Sequence, residues 1–291
     1  MDRIYWVNSR NETLELSDLS RFAIQGRSGF GMVEAEIHEE RAPGVPGGFW
    51  LGEVARVRRL RLALTAWADT ETALASLRGE LIDKLNPRLG EGRLRVVRPW
   101  GAVREIYCVP TGRLSFDTPA PGGPLAIADA IELRAYRPFW YDPSPQSASP
   151  TLGTGTAFTF PMTFPVAFGS GAVDVNVVLI NPGHEPAPLH VEFAGACQDP
   201  KVENVTQGKE VEAETTLLAG ERLRLKTGVW QGEVVHIDSV GAETNMRGSL
   251  SVGSDLVGLA ALPGSNTFRL SATGASGLSA TVQFYPLYRG I

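Results

Sequence analysis

Cysteine is scarce in this 291-residue sequence: there are two, Cys108 and Cys197, and neither has a second cysteine nearby. This spacing excludes a zinc module held by cysteines, and it also excludes a dithiol redox motif. We expect two buried thiols in a reducing compartment, and a single disulfide between them is the alternative.

Long apolar runs and an excess of positive charge are also lacking. No stretch approaches the roughly 18 consecutive apolar residues of a membrane span, and the N-terminal residues show no apolar core of a secretory signal, so we expect neither. The 27 basic residues are outnumbered by 32 acidic ones, which gives a formal net charge of −5. Without a basic excess to hold a phosphate backbone, dedicated nucleic-acid binding is disfavoured.

Glycine and proline, in contrast, are abundant, with 32 and 20 residues. Both residues interrupt regular structure, so their frequency argues against a long-helix or coiled-coil protein. Hydrophobic residues make up 43% of the chain, which is enough to bury a sizeable core.

A stretch dominated by Pro, Ser, Gly and Thr, residues 142–156, is typical of a linker or of an extended inter-domain strand. It divides the chain into two predicted domains, residues 1–145 and 146–291. The first carries 19 basic and 19 acidic residues and is neutral, so the second carries the whole net negative charge.

The first domain is predicted to be mostly β. Residues 59–67 alternate, with Leu60 and Leu62 on one face and Arg59 and Arg61 on the other, which predicts a strand with one face on a core. Residues 41–48 form a turn rich in Pro and Gly. The remaining predicted strands are residues 4–7, 32–38, 93–97, 103–109 and 126–136, and the third and fourth of them form a hairpin around Pro99–Gly101.

One convincing helix is predicted over Asp69–Asn86. Asp69 or Thr70 can cap its N-terminus, and Asn86-Pro87 ends it. Gly79 lies inside this helix, where it would let another backbone come close. The apolar stripe at helical spacing consists of Leu74, Leu77, Leu81, Ile82 and Leu85.

The second domain shows no good helical pattern. Strand-like runs separated by turn residues recur about every ten residues, which is typical of an antiparallel β-sandwich. The predicted strands are residues 158–168, 173–180, 189–193, 202–205, 210–217, 222–226, 233–237, 267–270 and 280–287.

Catalytic constellations are not apparent. The segment Gly26–Gly31 matches neither a serine-hydrolase elbow nor a dinucleotide fingerprint, so we interpret it as a glycine-rich turn. Prolines 186 and 188 forbid a metal-binding helix around His184 and His190, which are expected at the surface. His38 and His236 lie in predicted strands without a catalytic grouping. The carboxylate pairs Glu39-Glu40 and Glu212 with Glu214 are typical of solvated strands. We therefore predict no catalytic, cofactor-binding or metal-binding residues, and no enzyme.

Arginines and aromatic residues are the two remaining groups of interest. Aromatic clusters at residues 139–141 and 158–168 are interpreted as core, with a sugar-binding platform as the alternative. The arginines are interpreted as an exposed strand face balanced by Glu34, Glu36, Glu39, Glu40 and Glu53, with a phosphate-binding face as the alternative. The arginines in question are Arg56, Arg58, Arg59, Arg61, Arg93, Arg95 and Arg98.

A series of short motifs resembles the distal tail protein family of long-tailed, siphophage-type bacteriophages, and the resemblance covers nearly the whole chain. Each motif by itself is only a set of turn-forming residues next to a strand. The similarity to the family lies in the order of these motifs along the chain and in the spacing between them. The motifs are Gly29–Met32, Pro46-Gly47, the Arg-rich strand 56–67, Leu77–Leu81, Leu85–Pro87, Tyr136–Phe139, Asn181–His184, Pro188–Glu192, Asn204–Gly208, Gly220–Leu223, Leu262–Asn266 and Tyr285–Tyr288.

This resemblance implies a mainly β structural protein. Its N-terminal domain, 1–145, would be split-barrel-like with one inserted helix and would form a homo-hexameric ring. Its C-terminal domain, 146–291, would be a galectin-like antiparallel β-sandwich on the periphery. Some family members carry an extra carbohydrate-binding insertion, for which 291 residues leave no room.

The implied role is to connect the tail tube to the baseplate hub or tail-associated lysin, at the tail tip of a virion assembled in the host cytoplasm. The implied partners are copies of the chain itself, the tail-tube protein, and the tail hub or lysin; receptor-binding proteins are a further partner that the resemblance allows. No membrane and no specific nucleic acid are expected as partners. The alternative function is a carbohydrate- or receptor-binding β-sandwich module.

Overall fold

The computed structural model describes residues 2–112, 114–116, 118–119, 125–152 and 172–291. The chain divides into two compact units. The first unit runs up to Pro143 and also includes Tyr288–Ile291, and the second unit is Ser144–Leu287.

Strands dominate both units, and the described residues contain a single α-helix together with two short 3₁₀ helices, which confirms the prediction of a mainly β fold with one helix. The elements of the first unit are β1 (Arg3–Val7), β2 (Thr13–Glu15), β3 (Phe22–Ser28), β4 (Ala35–Glu40), β5 (Phe49–Ala55), β6 (Arg58–Trp67), α1 (Glu71–Lys84), a 3₁₀ helix (Pro87–Leu89), β7 (Gly92–Val97), β8 (Val103–Pro110), β9 (Thr118–Pro119), β10 (Ala126–Ala135) and β11 (Trp140–Tyr141).

The strands of the second unit follow in the same way. They are β12 (Gln146–Ala148), β13 (Thr151–Leu152), β14 (Ala172–Asn181), β15 (Ala187–Asn204), β16 (Lys209–Glu212), β17 (Thr216–Leu217), β18 (Arg222–Lys226), β19 (Glu233–Ile237), β20 (Glu243–Asn245), a 3₁₀ helix (Arg247–Ser249), β21 (Ala260–Ala261) and β22 (Gly264–Phe284). The last strand, β23 (Leu287–Tyr288), spans the boundary between the two units. Two segments of the predicted linker, β12 and β13, pair with β22. The strand predicted at 158–168 lies outside the described residues.

The main sheet of the first unit is antiparallel, in the order β2-β1-β7-β8-β10-β6-β3. The predicted hairpin is confirmed, since β7 pairs with β8 from Gly92↔Cys108 to Val97↔Val103. Between β8 and β10 the ladder has two residue pairs among the described residues, Leu133↔Pro110 and Arg134↔Val109. The sheet therefore consists of two halves joined by a short ladder.

Helix α1 covers the core of this sheet. Thr70 caps it, because its Oγ1 accepts a hydrogen bond from the Ala73 backbone N–H at 3.1 Å. Leu74, Leu77 and Leu81 are buried in one cluster with the leucines of β6. The indole of Trp6 donates to the Lys84 carbonyl at 2.7 Å, so the end of the helix is tied to β1.

Two details of the predicted helix are wrong. Ile82 is 53% exposed rather than part of the buried stripe, because each residue turns the helix by about 100° and Leu81 already faces the core. Gly79 does not admit a neighbouring backbone, since a Cβ built there would meet nothing within 4 Å.

The second unit is built around the two longest strands. β15 pairs with β22 along most of its length, with register shifts between Ala194 and Lys201. On one side of the shifts β15 also pairs with β18, and on the other side it pairs with β16. Alternate residues of these strands, such as Leu189, Val191 and Leu225, form the buried core. The predicted antiparallel pattern is confirmed here.

Three buried asparagines fix the turns of the second unit, and all three lie in motifs that carry the family resemblance. Asn181 donates to the Ala261 carbonyl at 2.9 Å and accepts from the Gly183 N–H at 2.8 Å. Asn204 donates to the Ala260 carbonyl, and Asn266 to the Leu262 carbonyl, both at 2.7 Å. Each buried side chain satisfies backbone groups of a turn or loop, which gives these motifs a structural explanation.

Both cysteines are buried free thiols, as predicted. Burial raises the pKa of both, that of Cys197 to about 11, so neither forms a reactive thiolate near neutral pH. We expect the folded protein to resist alkylation by iodoacetamide at pH 8, and both thiols to react once guanidinium chloride unfolds the chain. Mass spectrometry counts the adducts, and rapid labelling of either thiol under native conditions would contradict the described burial.

Candidate interaction surfaces

A β-hairpin of the first unit presents apolar side chains to solvent. Within the described residues, β4 and β5 pair with each other as a separate two-stranded sheet. We call residues 35–55 the apolar arm. Five of its side chains are between 54% and 70% exposed: Ile37, Phe49, Trp50, Leu51 and Val54. An isolated two-stranded hairpin is marginally stable at best, and five exposed large apolar side chains on one hairpin leave much apolar area in water, so the arm is suited to contact a partner.

The sequence prediction missed half of this arm. The turn at 41–48 was expected, but the strand Phe49–Ala55 was not. The signal that could have found it is the run Phe49-Trp50-Leu51 directly after a Pro/Gly turn, which is typical of a returning hairpin strand.

Ion pairs surround the base of the arm. Arg56 contacts Glu34 at 3.1 Å and Glu36 at 3.4 Å. Arg289 pairs with Glu53 and lowers the pKa of that carboxyl through a direct hydrogen bond. Such exposed pairs add little stability, but they show that the base of the arm is in contact with the C-terminal residues of the same unit.

Arg58 departs from the predicted exposed arginine face, because only 4% of it is exposed. Its guanidinium donates to the carbonyls of Pro138 at 2.7 Å, Gly29 and Gly31 at 2.8 Å, and to that of Arg289. Burial lowers its pKa to about 10, which leaves it protonated at neutral pH. The sequence contained a signal for this position, since Arg58 shares the strand parity of Leu60 and Leu62, which face the core.

The remaining arginines do not assemble into one positive face. Arg93 and Arg95 contact the buried carboxylate of Glu105, at 3.7 and 2.5 Å, and Tyr141 donates to the same carboxylate at 2.5 Å. Glu105 is a buried charge that the sequence prediction did not single out. Arg98 pairs instead with Asp2 at 2.7 Å.

Arg59 lies directly opposite Arg134 on neighbouring strands, and both side chains are exposed. Neither forms an ion pair within the part of the chain that the structure describes. Like charges that face each other across a ladder are destabilising, so this pair is suited to meet carboxylates of another molecule.

A shallow groove of about 420 Å³ lies at the tip of the β7–β8 hairpin. The exposed Trp100 and Leu19 line it, and Asp2 bridges Arg27 and Arg98 at 2.6 and 2.7 Å. The salt-bridged charges satisfy one another, so the groove offers an apolar surface with a polar margin.

The histidines and carboxylates considered at the sequence level remain dispersed. His236 contacts Glu221 at 3.0 Å, His38 lies on the apolar arm, and His184 is exposed in a loop. Among the described residues, no group of three or more His, Cys, Asp or Glu side chains could hold a metal ion. None of the helices in the described ranges has the length and apolarity that a membrane span needs.

The glycine segment and the aromatic clusters have structural explanations where they are described. Gly29 adopts a positive φ of 83°, and a Cβ there would lie 2.0 Å from the Arg59 carbonyl oxygen, so this turn requires glycine. Trp140 is fully buried and packs against Phe30, with ring centroids 5.5 Å apart. The aromatic cluster at 158–168 lies outside the described residues.

The fold and its surfaces thus define a class of protein. The chain is mainly β and has two units, and its described surface includes the exposed apolar arm and two arginines, Arg59 and Arg134, that form no ion pair there. The chain is similar in fold to several solved phage proteins. The SPP1 Dit (gp 19.1) protein, described as a paradigm of the hub adsorption apparatus in phages that infect Gram-positive bacteria, has a TM-score of 0.67 at 16% identity, over 99% of each chain.

Two further structures are those of the phage P2 baseplate in its activated conformation, one with Ca and one with Sr. Each has a TM-score of 0.53 at 8% identity, covering 97% of this chain and 98% of the other. No protein-family profile matches the sequence, and no curated protein matches it either. The predicted resemblance to phage distal tail proteins is therefore confirmed at the level of the fold.

Proposed function

We propose that this chain is a distal tail protein, a structural subunit at the tail tip of a phage virion assembled in the host cytoplasm. Its role is to join the tail tube to the baseplate hub or tail-associated lysin, without catalysis or a cofactor. The observation that carries this proposal is the correspondence with SPP1 Dit over 99% of both chains, since a shared single domain would leave part of the chain unmatched. Receptor-binding proteins are a further partner of such a tip.

Residues 1–145 are proposed to form a homo-hexameric ring, and residues 146–291 to form a peripheral galectin-like domain. The apolar arm and the facing pair Arg59 and Arg134 support this assignment. Both lie in the first unit, the apolar side chains of the arm are exposed, and the two arginines form no ion pair within the described chain. A stable interface between two subunits buries roughly 1,200 Å² or more, and the arm is a suitable apolar centre for one.

The oligomeric state tests this proposal directly. Light scattering over a range of protein concentrations measures the particle mass, and negative-stain electron microscopy shows its shape. We expect a ring of six 31.3 kDa chains to appear as concentration rises, because assembly follows mass action. A monomer at every concentration that also fails to co-assemble with its tail-tube protein would contradict the proposal.

The substitution Trp50→Asp is expected to abolish the ring and to leave the melting temperature of the isolated chain nearly unchanged. Trp50 is 70% exposed, so a charge there costs little in the folded chain, but it would be buried in the interface. Light scattering and a thermal melt measure the two effects separately.

Trp230→Asp is the matched control, because Trp230 is 68% exposed and belongs to the second unit. The ring should survive this change. If Trp230→Asp disrupts the ring and Trp50→Asp does not, the ring is formed by the second unit instead.

A further inference from the structure

The second unit carries an organised polar surface on the outer face of its sheet. Core residues of β15, β18 and β22 alternate with polar ones, and cross-strand pairing aligns the polar residues in two adjacent rows. One row is Gln283, His190 and Lys226, and the next is Thr281, Glu192 and Arg224. These six side chains line a depression of about 280 Å³.

This depression is a built feature rather than a loop surface. It lies on three neighbouring strands whose opposite faces form the core, so its side chains start from a rigid backbone. Its volume is near the lower end of the range for small-molecule sites, roughly 300 Å³. It therefore suits a small ligand, or one unit of a polymer, better than a protein.

The charges on this face balance one another. Glu233 is bound by Lys226 at 2.7 Å and by Arg224 at 3.1 Å. Arg224 also contacts Glu243 at 3.1 Å, and Arg222 contacts Glu192 at 3.6 Å. Three cations thus stand among three carboxylates, which disfavours a strongly charged ligand such as a nucleic acid or an acidic peptide.

The same arrangement offers donors and acceptors side by side. Burial and the neighbouring Lys226 lower the pKa of His190, which favours the neutral imidazole, a ring with one donor and one acceptor nitrogen. Gln283 and Thr281 add groups that can do both. A hydroxyl group also donates and accepts, so a ligand with several adjacent hydroxyl groups matches this surface.

An exposed tryptophan belongs to the turn that follows one end of the rows. The turn between β18 and β19 connects Lys226 to Glu233 and includes Trp230, which is 68% exposed. The side chain of the neighbouring Gln231 interacts with the ring of His190, so this turn begins beside the depression. A flat, exposed indole beside polar groups can stack on the C–H face of a sugar ring.

We propose that this face of the second unit binds a neutral saccharide, with Trp230 as a stacking platform and Glu192, Arg224 and Gln283 as hydrogen-bonding groups. The site lies beyond the proposed tail-connecting role and does not depend on it. A single chain contains all of these residues, so binding requires no ring.

The test uses the full chain with six free sugars as probes: glucose, galactose, N-acetylglucosamine and lactose as neutral sugars, glucuronic acid and glucosamine as charged ones. Saturation-transfer NMR detects binding, and quenching of tryptophan fluorescence gives the affinity. We expect at least one neutral sugar to bind more tightly than both charged ones. No binding by any neutral sugar, or a preference for a charged one, would overturn the proposal.

Two substitutions locate the site. Trp230→Ala and Glu192→Gln should each weaken binding of the neutral sugar roughly tenfold, the loss expected when a stacking ring or a charged acceptor is removed. Trp100→Ala is the control, because Trp100 is 74% exposed in the first unit, and it should leave the affinity unchanged. Thermal melts of all three should match the wild type. Unchanged affinity in both site variants would overturn the assignment, whatever the oligomeric state proves to be.

Discussion

Replacing Arg58 with methionine is expected to destabilise the first unit by on the order of 3 kcal/mol or more. Methionine fills much of the same space, but it leaves four carbonyls, including those of Gly29 and Pro138, without their donor. The carbonyl of Arg289 is one of the four, so the C-terminal residues lose an attachment as well. Chemical denaturation followed by circular dichroism measures the loss.

Arg59→Met is the matched control for this prediction. Arg59 is the next residue on β6, faces the opposite side and is exposed, so its replacement should change stability by no more than about 0.5 kcal/mol. Arg58→Lys should fall between the two, because an ammonium keeps the charge but lacks the planar fork that reaches several carbonyls. Equal destabilisation by both methionine variants would show that the hydrogen bonds from the Arg58 guanidinium do not stabilise the first unit as described.

Leu81→Asp is expected to unfold the first unit or to cost several kcal/mol. Leu81 is 1% exposed and lies in the cluster that α1 shares with β6, so aspartate there would be a buried charge without a partner. A thermal melt of the variant should show the transition of the first unit at a much lower temperature or not at all.

Ile82→Asp provides the control one residue further along the helix. Because Ile82 is 53% exposed, the same substitution should cost no more than about 1 kcal/mol, mostly from helix propensity. This pair of variants also decides between the two registers, since the predicted stripe includes Ile82 and the structure excludes it. Comparable losses at both positions would favour the predicted stripe.

The two proposed interaction surfaces lie in different units of the chain. The apolar arm and the facing arginines belong to the first unit, and the polar depression belongs to the second. A tail tip built in this way would use one unit for assembly and keep the other free for a ligand. Trp50→Asp and Trp230→Ala address the two functions independently, because each changes an exposed residue of one unit only.

Sequence patterns alone predicted much of the local structure. Alternation in 59–67 indicated which face of β6 meets the core, and the Asn86-Pro87 pair indicated where the helix ends. The 93–109 hairpin followed from its turn residues. These features depend on neighbours within a few residues, which is why the sequence contains them.

Interaction surfaces were harder to predict, because they depend on which strands become neighbours. Alternation could assign Arg58 to the core face, but only the tertiary structure supplied the carbonyls of Gly29, Pro138 and Arg289 that accept its hydrogen bonds. The sequence shows Glu105 only as one carboxylate in a predicted strand. The tertiary structure shows that Arg95 and Tyr141 both donate hydrogen bonds to it. Periodicity reports that a face is polar or apolar, and it does not report what lies opposite.

The sequence by itself determined that this protein is mainly β, has one helix in its first half and two buried thiols, and resembles phage distal tail proteins in the order of its turns. Only the tertiary structure decided that the two strands of the apolar arm form a sheet of their own among the described residues, and that Gln283, His190 and Lys226 lie in one row. Those three residues are far apart in the chain. The register of long-range strand pairing brings them together, and a shift of one residue would turn each of them to the other face.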